Sequence, residues 1–208
     1  MSILQIRPRR FAYRLGGAAL FLSVGACAST RVSRIEPSTV TDLSGRWNDT
    51  DSRLVANQLV EQTLTAGWMK RYADSHGGEA PAVIVGGFTN RTMEHIAMGT
   101  FVKDIERALV TTGTARVVAS GTDRAELRGE RADQQQNARA DTRSRLGQEH
   151  GARYVLAGEM QSIEDVEGRE RIVFYQIDAS LIDLETNSKV WVGQHKIKKY
   201  IERTRFSL

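Results

Sequence analysis

The sequence predicts a mixed α/β (α+β) protein: a sheet of about five strands with helices packed on it, closing in a C-terminal antiparallel meander. Three stretches carry that expectation. Ala82–Phe88 (AVIVGGF) is a short apolar run after Pro81, the mark of a buried strand. It is followed by a helical pattern and a second short run, Arg116–Ser120, so a parallel pair with a right-handed crossover is expected. Arg171–Asp183 alternates, with Val173, Tyr175, Ile177, Ala179 and Leu181 on one face, and Glu185–Ser188 (ETNS) separates it from a return strand, Lys189–Ile197.

The remaining elements follow in order. Asp42–Ser52 (DLSGRWNDTDS) is dense in residues whose side chains accept hydrogen bonds from free helix N–H groups. A helix is expected from there to about Tyr72, with Leu54, Val55, Leu59, Leu64 and Trp68 as its apolar side and His76-Gly77-Gly78 as its end. After the first strand, Asn90-Arg91-Thr92 should turn into a second helix, capped by Thr92, with Glu94 in its first turn. Met98, Phe101, Val102, Ile105 and Leu109 form its buried face, and Gly113 closes it. Thr122–His150 is almost wholly polar and reads as two solvated helices broken near Gln136–Ala138. Arg153–Ile163 is a strand, with a turn at Glu167-Gly168-Arg169. The Leu54 and Phe101 helices should cover one face of the sheet.

The first 26 residues read as a secretory signal. Arg7, Arg9, Arg10 and Arg14 precede an apolar run that begins at Leu15 and ends in small residues before Cys27. The run is shorter than the about 20 residues a membrane helix needs. Arg9-Arg10 is plain n-region charge, because Phe11 sits one place too early for a twin-arginine signal. Val24-Gly25-Ala26-Cys27 resembles a bacterial lipobox with Val in place of the usual Leu, which implies cleavage before Cys27 and lipidation of its thiol. A lone cysteine in an oxidising compartment has no disulfide partner, which favours that reading over a signal cut after Ala26 with a free thiol left behind. By the same resemblance, Ala28 is not the retention aspartate, so the expected location is the outer membrane, lipid-anchored, on the periplasmic face. The chain therefore divides into a signal (1–26), a lipidated tether (27–41) and a globular domain (42–208). As a flexible coil the tether spans roughly 20 Å.

Charge excludes one function class. The chain has 29 Lys+Arg against 25 Asp+Glu, but four arginines and no acid lie in the signal, so the remainder is balanced. That leaves no electrostatic footprint for nucleic acid. Gly-x-Ser-x-Gly, the phosphate-binding loop and His-Glu-x-x-His are all missing, and His76, His95, His150 and His195 are scattered. No metal, cofactor or small-molecule substrate is expected, and the protein reads as no enzyme. Glu94-His95 as an acid/base pair, or a hydrolase using His95 or His150, are the weaker alternatives to a capping or exposed pair. Glu159 is expected on a solvated strand face.

Several segments, taken in order, are similar to the peptidoglycan-synthase activator LpoB family. They are Asp42–Ser52; Pro81–Val85 with Asn90-Arg91 and Glu94-His95-Ile96; Asp104-Ile105-Glu106; and Arg124–Leu127 with Glu130-Arg131 and Gln134-Gln135. They continue as Gly151-Ala152, Leu156–Glu159, Val173–Gln176, and Lys189–Gly193 ahead of Lys196–Lys199. The resemblance implies a non-catalytic outer-membrane lipoprotein that binds and activates a class A penicillin-binding protein and so regulates peptidoglycan synthesis. The alternative is an envelope scaffold resembling the amino-terminal domain of TolB-like proteins. The expected partner-binding residues fall in two patches: Arg46, Trp47, Asn48, Asp49 and Asp51, and Asn90, Arg91, Glu94 and His95, joined by the polar Arg124–Gln135 segment. Trp and Arg are favoured at interface hot spots. Equally, Asn48 and Asp51 can serve only as caps, and Trp47 as a staple.

Overall fold

A computed structural model describes residues 31–203. Cys27, the lipobox and the signal lie outside them. Residues 31–36 are exposed and without regular structure, and a compact body begins at Pro37. Its elements are α1 (Asp49–Thr65), α2 (Gly67–Ser75), β1 (Ala82–Asn90), α3 (Met98–Thr112), β2 (Arg116–Val117), α4 (Gly121–Asn137), β3 (Tyr154–Glu167), β4 (Glu170–Asp183) and β5 (Lys189–Glu202). Among the described residues no helix is long and apolar enough to cross a membrane.

The sheet is mixed, in the order β2-β1-β3-β4-β5. β1 pairs in parallel with β2 and β3; β3, β4 and β5 form the antiparallel meander. One face carries α1 and α3, which pack on each other and on β1, β4 and β5. The expected β4 face, Val173, Tyr175, Ile177, Ala179 and Leu181, is buried against Leu59, Phe101 and Ile105 in one core. Gly158 lets β3 pass close to its neighbours: a Cβ there would lie 2.2 Å from the Asp178 carbonyl and 2.6 Å from the Phe88 ring.

The local departures have physical causes. The first helix does not run unbroken to Tyr72. Ala66 is extended (φ −73°, ψ 152°), which splits it into α1 and α2. The Thr63 carbonyl left free by the break accepts the indole N–H of Trp68 at 2.6 Å, and that ring packs edge-on against Tyr154. Leu54 is 52% exposed, because Val55, Ala56, Leu59 and Val60 take the inward positions. α2 ends as expected, with Gly77 and Gly78 at positive φ.

The second helix begins at Met98, not near Thr92. Asn90 Oδ1 accepts the Thr92 backbone N–H (2.9 Å) and hydroxyl (2.8 Å), while its amide donates to the Glu94 carbonyl (2.7 Å). Such local bonds offer the backbone an alternative to helix. Thr92 and Glu94 are therefore not helix-capping residues. The polar segment forms one helix, α4, with no buried residue; residues 138–150 form no second helix. Arg128 and Arg131 reach Glu149 at 2.9 and 2.7 Å, and their hydrogen bonds hold its carboxyl down at about 2. β2 is only two residues long, whereas β3 and β5 run four and five residues past their expected ends.

Candidate functional site

The segment leading into α1 brings the two expected patches together. Asn48 caps the helix: its Oδ1 accepts the Asp51 backbone N–H at 3.1 Å, and Asp51 Oδ2 accepts the Asn48 N–H at 2.9 Å. This reciprocal arrangement satisfies two otherwise free donors. Trp47, one residue earlier, donates its backbone N–H to Glu94 Oε2 at 3.1 Å and its indole N–H to Ser52 at 2.8 Å. Its ring sits edge-on to Tyr175 and Phe101, with centroids 5.4 and 6.3 Å away.

Glu94 is the hinge between the patches. The loop set by Asn90 turns its carboxylate inward, where Oε1 accepts the Tyr175 hydroxyl at 2.7 Å and Arg171 approaches to 3.8 Å. Burial, followed by that bond to Glu94, raises the Tyr175 phenol well above its ordinary value, so it stays a donor. A buried Tyr hydroxyl needs such a partner.

Lys199 ties β5 to the same segment. Its ammonium donates to Asp51 Oδ2 (2.6 Å), Asp42 Oδ1 (2.8 Å) and the Arg46 carbonyl (3.1 Å), which uses all three of its protons. Desolvation opposes its charge, but the bonds to Asp42 and Asp51 outweigh that and raise its pKa. The bond from Lys199, against a smaller desolvation, lowers that of Asp42. Nearby, Gly45 has φ +69°, and a Cβ there would fall 2.3 Å from Ile201. Only glycine lets the segment lie this close to β5. Between segment and strand lies a cleft of about 810 Å³, with Arg46, Lys199 and Arg203 on its walls.

The nine expected residues thus separate by role. Asn48, Asp51, Glu94 and Asn90 are held by internal bonds, and Trp47 is half-buried in the same knot. Arg46, Asp49, Arg91 and His95 are exposed around it, with Arg91 3.8 Å from Glu159 on the solvated strand face. The Arg124–Gln135 segment does not join them; it lies in α4, which makes no extensive contact with any other element. Lys199, Tyr175, Asp42 and Ser52 were not expected here. A lysine at an inward β5 position, between Ile197 and Ile201, was a readable signal for a buried partner; so was a tyrosine within the apolar face of β4.

Among the described residues no cluster of His, Cys, Asp and Glu is arranged to hold a metal. The titratable groups of the knot bond one another and fasten the lead-in segment to the sheet. The side chains of Arg46, Asp49, Arg91 and His95 lie exposed around them. These features define a mixed α/β body whose lead-in segment is pinned to its sheet. The chain belongs to the peptidoglycan-synthase activator LpoB family, whose model matches residues 51–197. Solved structures similar to it include the LpoB C-terminal domain from Salmonella enterica (18% identity, TM-score 0.40, covering 71% of this chain and 98% of that one). The LpoB C-terminal domain from Escherichia coli is similar too (16%, 0.42, 74% and 99%), as is lipoprotein GNA1162 from Neisseria meningitidis (14%, 0.38, 62% and 88%). No curated protein sequence matches significantly.

Proposed function

We propose that this protein is a lipoprotein, anchored through Cys27 in the outer membrane on its periplasmic face, that binds and activates a class A penicillin-binding protein without catalysing a reaction itself. Membership of a family of peptidoglycan-synthase activators carries this reading. The contact surface is Arg46, Trp47, Asp49, Arg91 and His95, backed by Asn48, Asp51, Asn90 and Glu94. Activation means that this surface binds the working conformer of the synthase better than the resting one. The short tether requires the synthase to reach toward the outer membrane.

The test adds the purified protein to the class A synthase of the same cell and measures glycan polymerisation. The rate rises with the wild-type chain. It stays near the basal rate with Arg46→Ala/Arg91→Ala/His95→Ala, whose thermal stability matches wild type because all three side chains are exposed. No stimulation at saturating wild-type protein rejects the reading.

A further inference from the structure

β5 is the last strand of the sheet, and its outer edge has no neighbouring strand. The phase of its backbone is set at its end. Arg203 donates its N–H to the Arg169 carbonyl at 3.1 Å, so the odd-numbered residues before it turn their backbone groups to β4 and the even-numbered ones turn theirs outward. The ladder shifts register only at Leu181/Ile182, well away from this stretch. One outward group is covered: Gln62 donates its amide to the Gln194 carbonyl at 3.3 Å. Beyond it, among the described residues, no group bonds the outward N–H and C=O of Lys196, Lys198 or Tyr200. On the face of the sheet away from α1, Lys196 and Lys198 are exposed and stand beside Gln176 and Phe174 of β4. Neither lysine has an acidic partner among the described residues. The nearest acids lie toward the ends: Asp178 accepts bonds from Gln176 and Gln194, and Glu170 pairs in register with Glu202. On the opposite face Ile197 and Ile201 are only partly buried, and Lys199 between them is already spent on Asp42 and Asp51.

We propose that the outer edge of β5, from Lys196 to Tyr200, binds an extended segment of a partner protein in which acidic and aliphatic residues alternate, added to the sheet as a further strand. A free edge offers its N–H and C=O groups as a template for such a strand, and the side chains beside it set which strand fits. Successive side chains of the incoming strand point to opposite faces. Those on the open face fall beside Lys196 and Lys198, whose β4 neighbours carry no charge, so the acid that complements them has to come from the outer side. Those on the other face fall beside Ile197 and Ile201, where aliphatic groups cover apolar surface left partly open. Edge lysines guard a sheet against like strands; the same charges select an acidic one. A second copy pairing edge to edge would bring its own Lys196 and Lys198 to the junction with Glu202 as their only acid on β5, which disfavours it. The inference goes beyond synthase activation and does not rest on it.

The test selects a library of random linear peptides, displayed on phage, against the purified full-length protein in mild detergent, and measures the affinity of the enriched peptides made singly. They carry acids at alternate positions, with aliphatic residues between and no proline in the paired stretch. Lys198→Pro removes an outward N–H while leaving the β4 ladder whole, which an edge strand tolerates, and lowers their affinity at least about tenfold, equivalent to about 1.4 kcal/mol. Lys196→Glu/Lys198→Glu lowers it by the same factor and takes up the same peptides with their acids changed to lysine. Both side chains are exposed, so melting temperatures stay at the wild-type value. Amide hydrogen exchange on the wild-type chain needs no variant: peptide slows exchange at Lys198 and Tyr200, whose N–H groups point outward, and leaves Ile197 and Lys199 unchanged. Failure to enrich any peptide overturns the proposal, as does enrichment of peptides without the acidic alternation. Binding indifferent to both variants, or without protection of the outward amides, overturns it too. Self-association that blocks the edge and is lost in Lys198→Pro gives the edge to a second copy and overturns it equally.

Discussion

Lys199 and Glu94 are each surrounded by partners from distant parts of the chain, and both can be tested singly. Lys199→Met leaves Asp51 buried without its cation. Breaking a pair of this kind costs about 3 kcal/mol, to be measured by urea unfolding. Lys199→Arg does not restore the loss, because three acceptors converge on one compact ammonium and a planar fork cannot meet them all. Tyr175→Phe removes the donor to Glu94 and costs about 1–2 kcal/mol. Its pH signature is specific. Tyr175 and Lys199 both have folded pKa values above their unfolded ones, so their contribution is full below about pH 10 and declines as pH rises through the folded values. Alkaline titration of stability therefore falls for wild type and falls less steeply for Tyr175→Phe. The sequence made Asn48 and Asp51 legible as a cap, since three residues of spacing suffices to define one. It could not show that Glu94 faces Trp47, because a contact 47 residues apart depends on how two loops are carried by the sheet.

At the scale of elements, strands were more legible than helix limits. The middle of β4 alternates in polarity from Tyr175 to Ser180, so its buried face was readable there. The apolar spacing of α1 and α2 runs on through Ala66, so the sequence alone predicts one helix there. What breaks it is the gain of seating Trp68 against Tyr154, a term held by the partner strand. α3 begins later than its composition predicts for a similar reason: the Asn90 side-chain bonds compete with helix over a segment whose composition allows either. Gly158 belongs to this scale. Gly158→Ala sets a methyl against a β4 carbonyl that cannot retreat without loosening the ladder, so a loss of about 3 kcal/mol or more is expected. Calorimetry checks it against Gly87→Ala, where no atom lies within 4 Å.

For the whole molecule, the knot fixes where the lead-in segment joins the body, at the end of β5 rather than at a free linker. The body should also lose stability in acid. Burial raises the Asp183 pKa, but the backbone N–H groups of Thr186 and Glu185, with Arg153, more than offset that and lower it. Its contribution is full above about pH 4 and is lost as pH falls through the folded value; Asp183→Asn should lower the melting temperature at pH 7 and narrow its difference from wild type near pH 2. By itself the sequence determined the polarity pattern, and with it the number of strands, the buried face of β4, the helix cap and the family resemblance, because these depend on neighbours a few residues apart. Only the tertiary structure decided that Lys199 meets Asp42 and Asp51 and that Glu94 turns inward. Those facts depend on register and on which ends of the sheet the loops return to, and no local spacing encodes either.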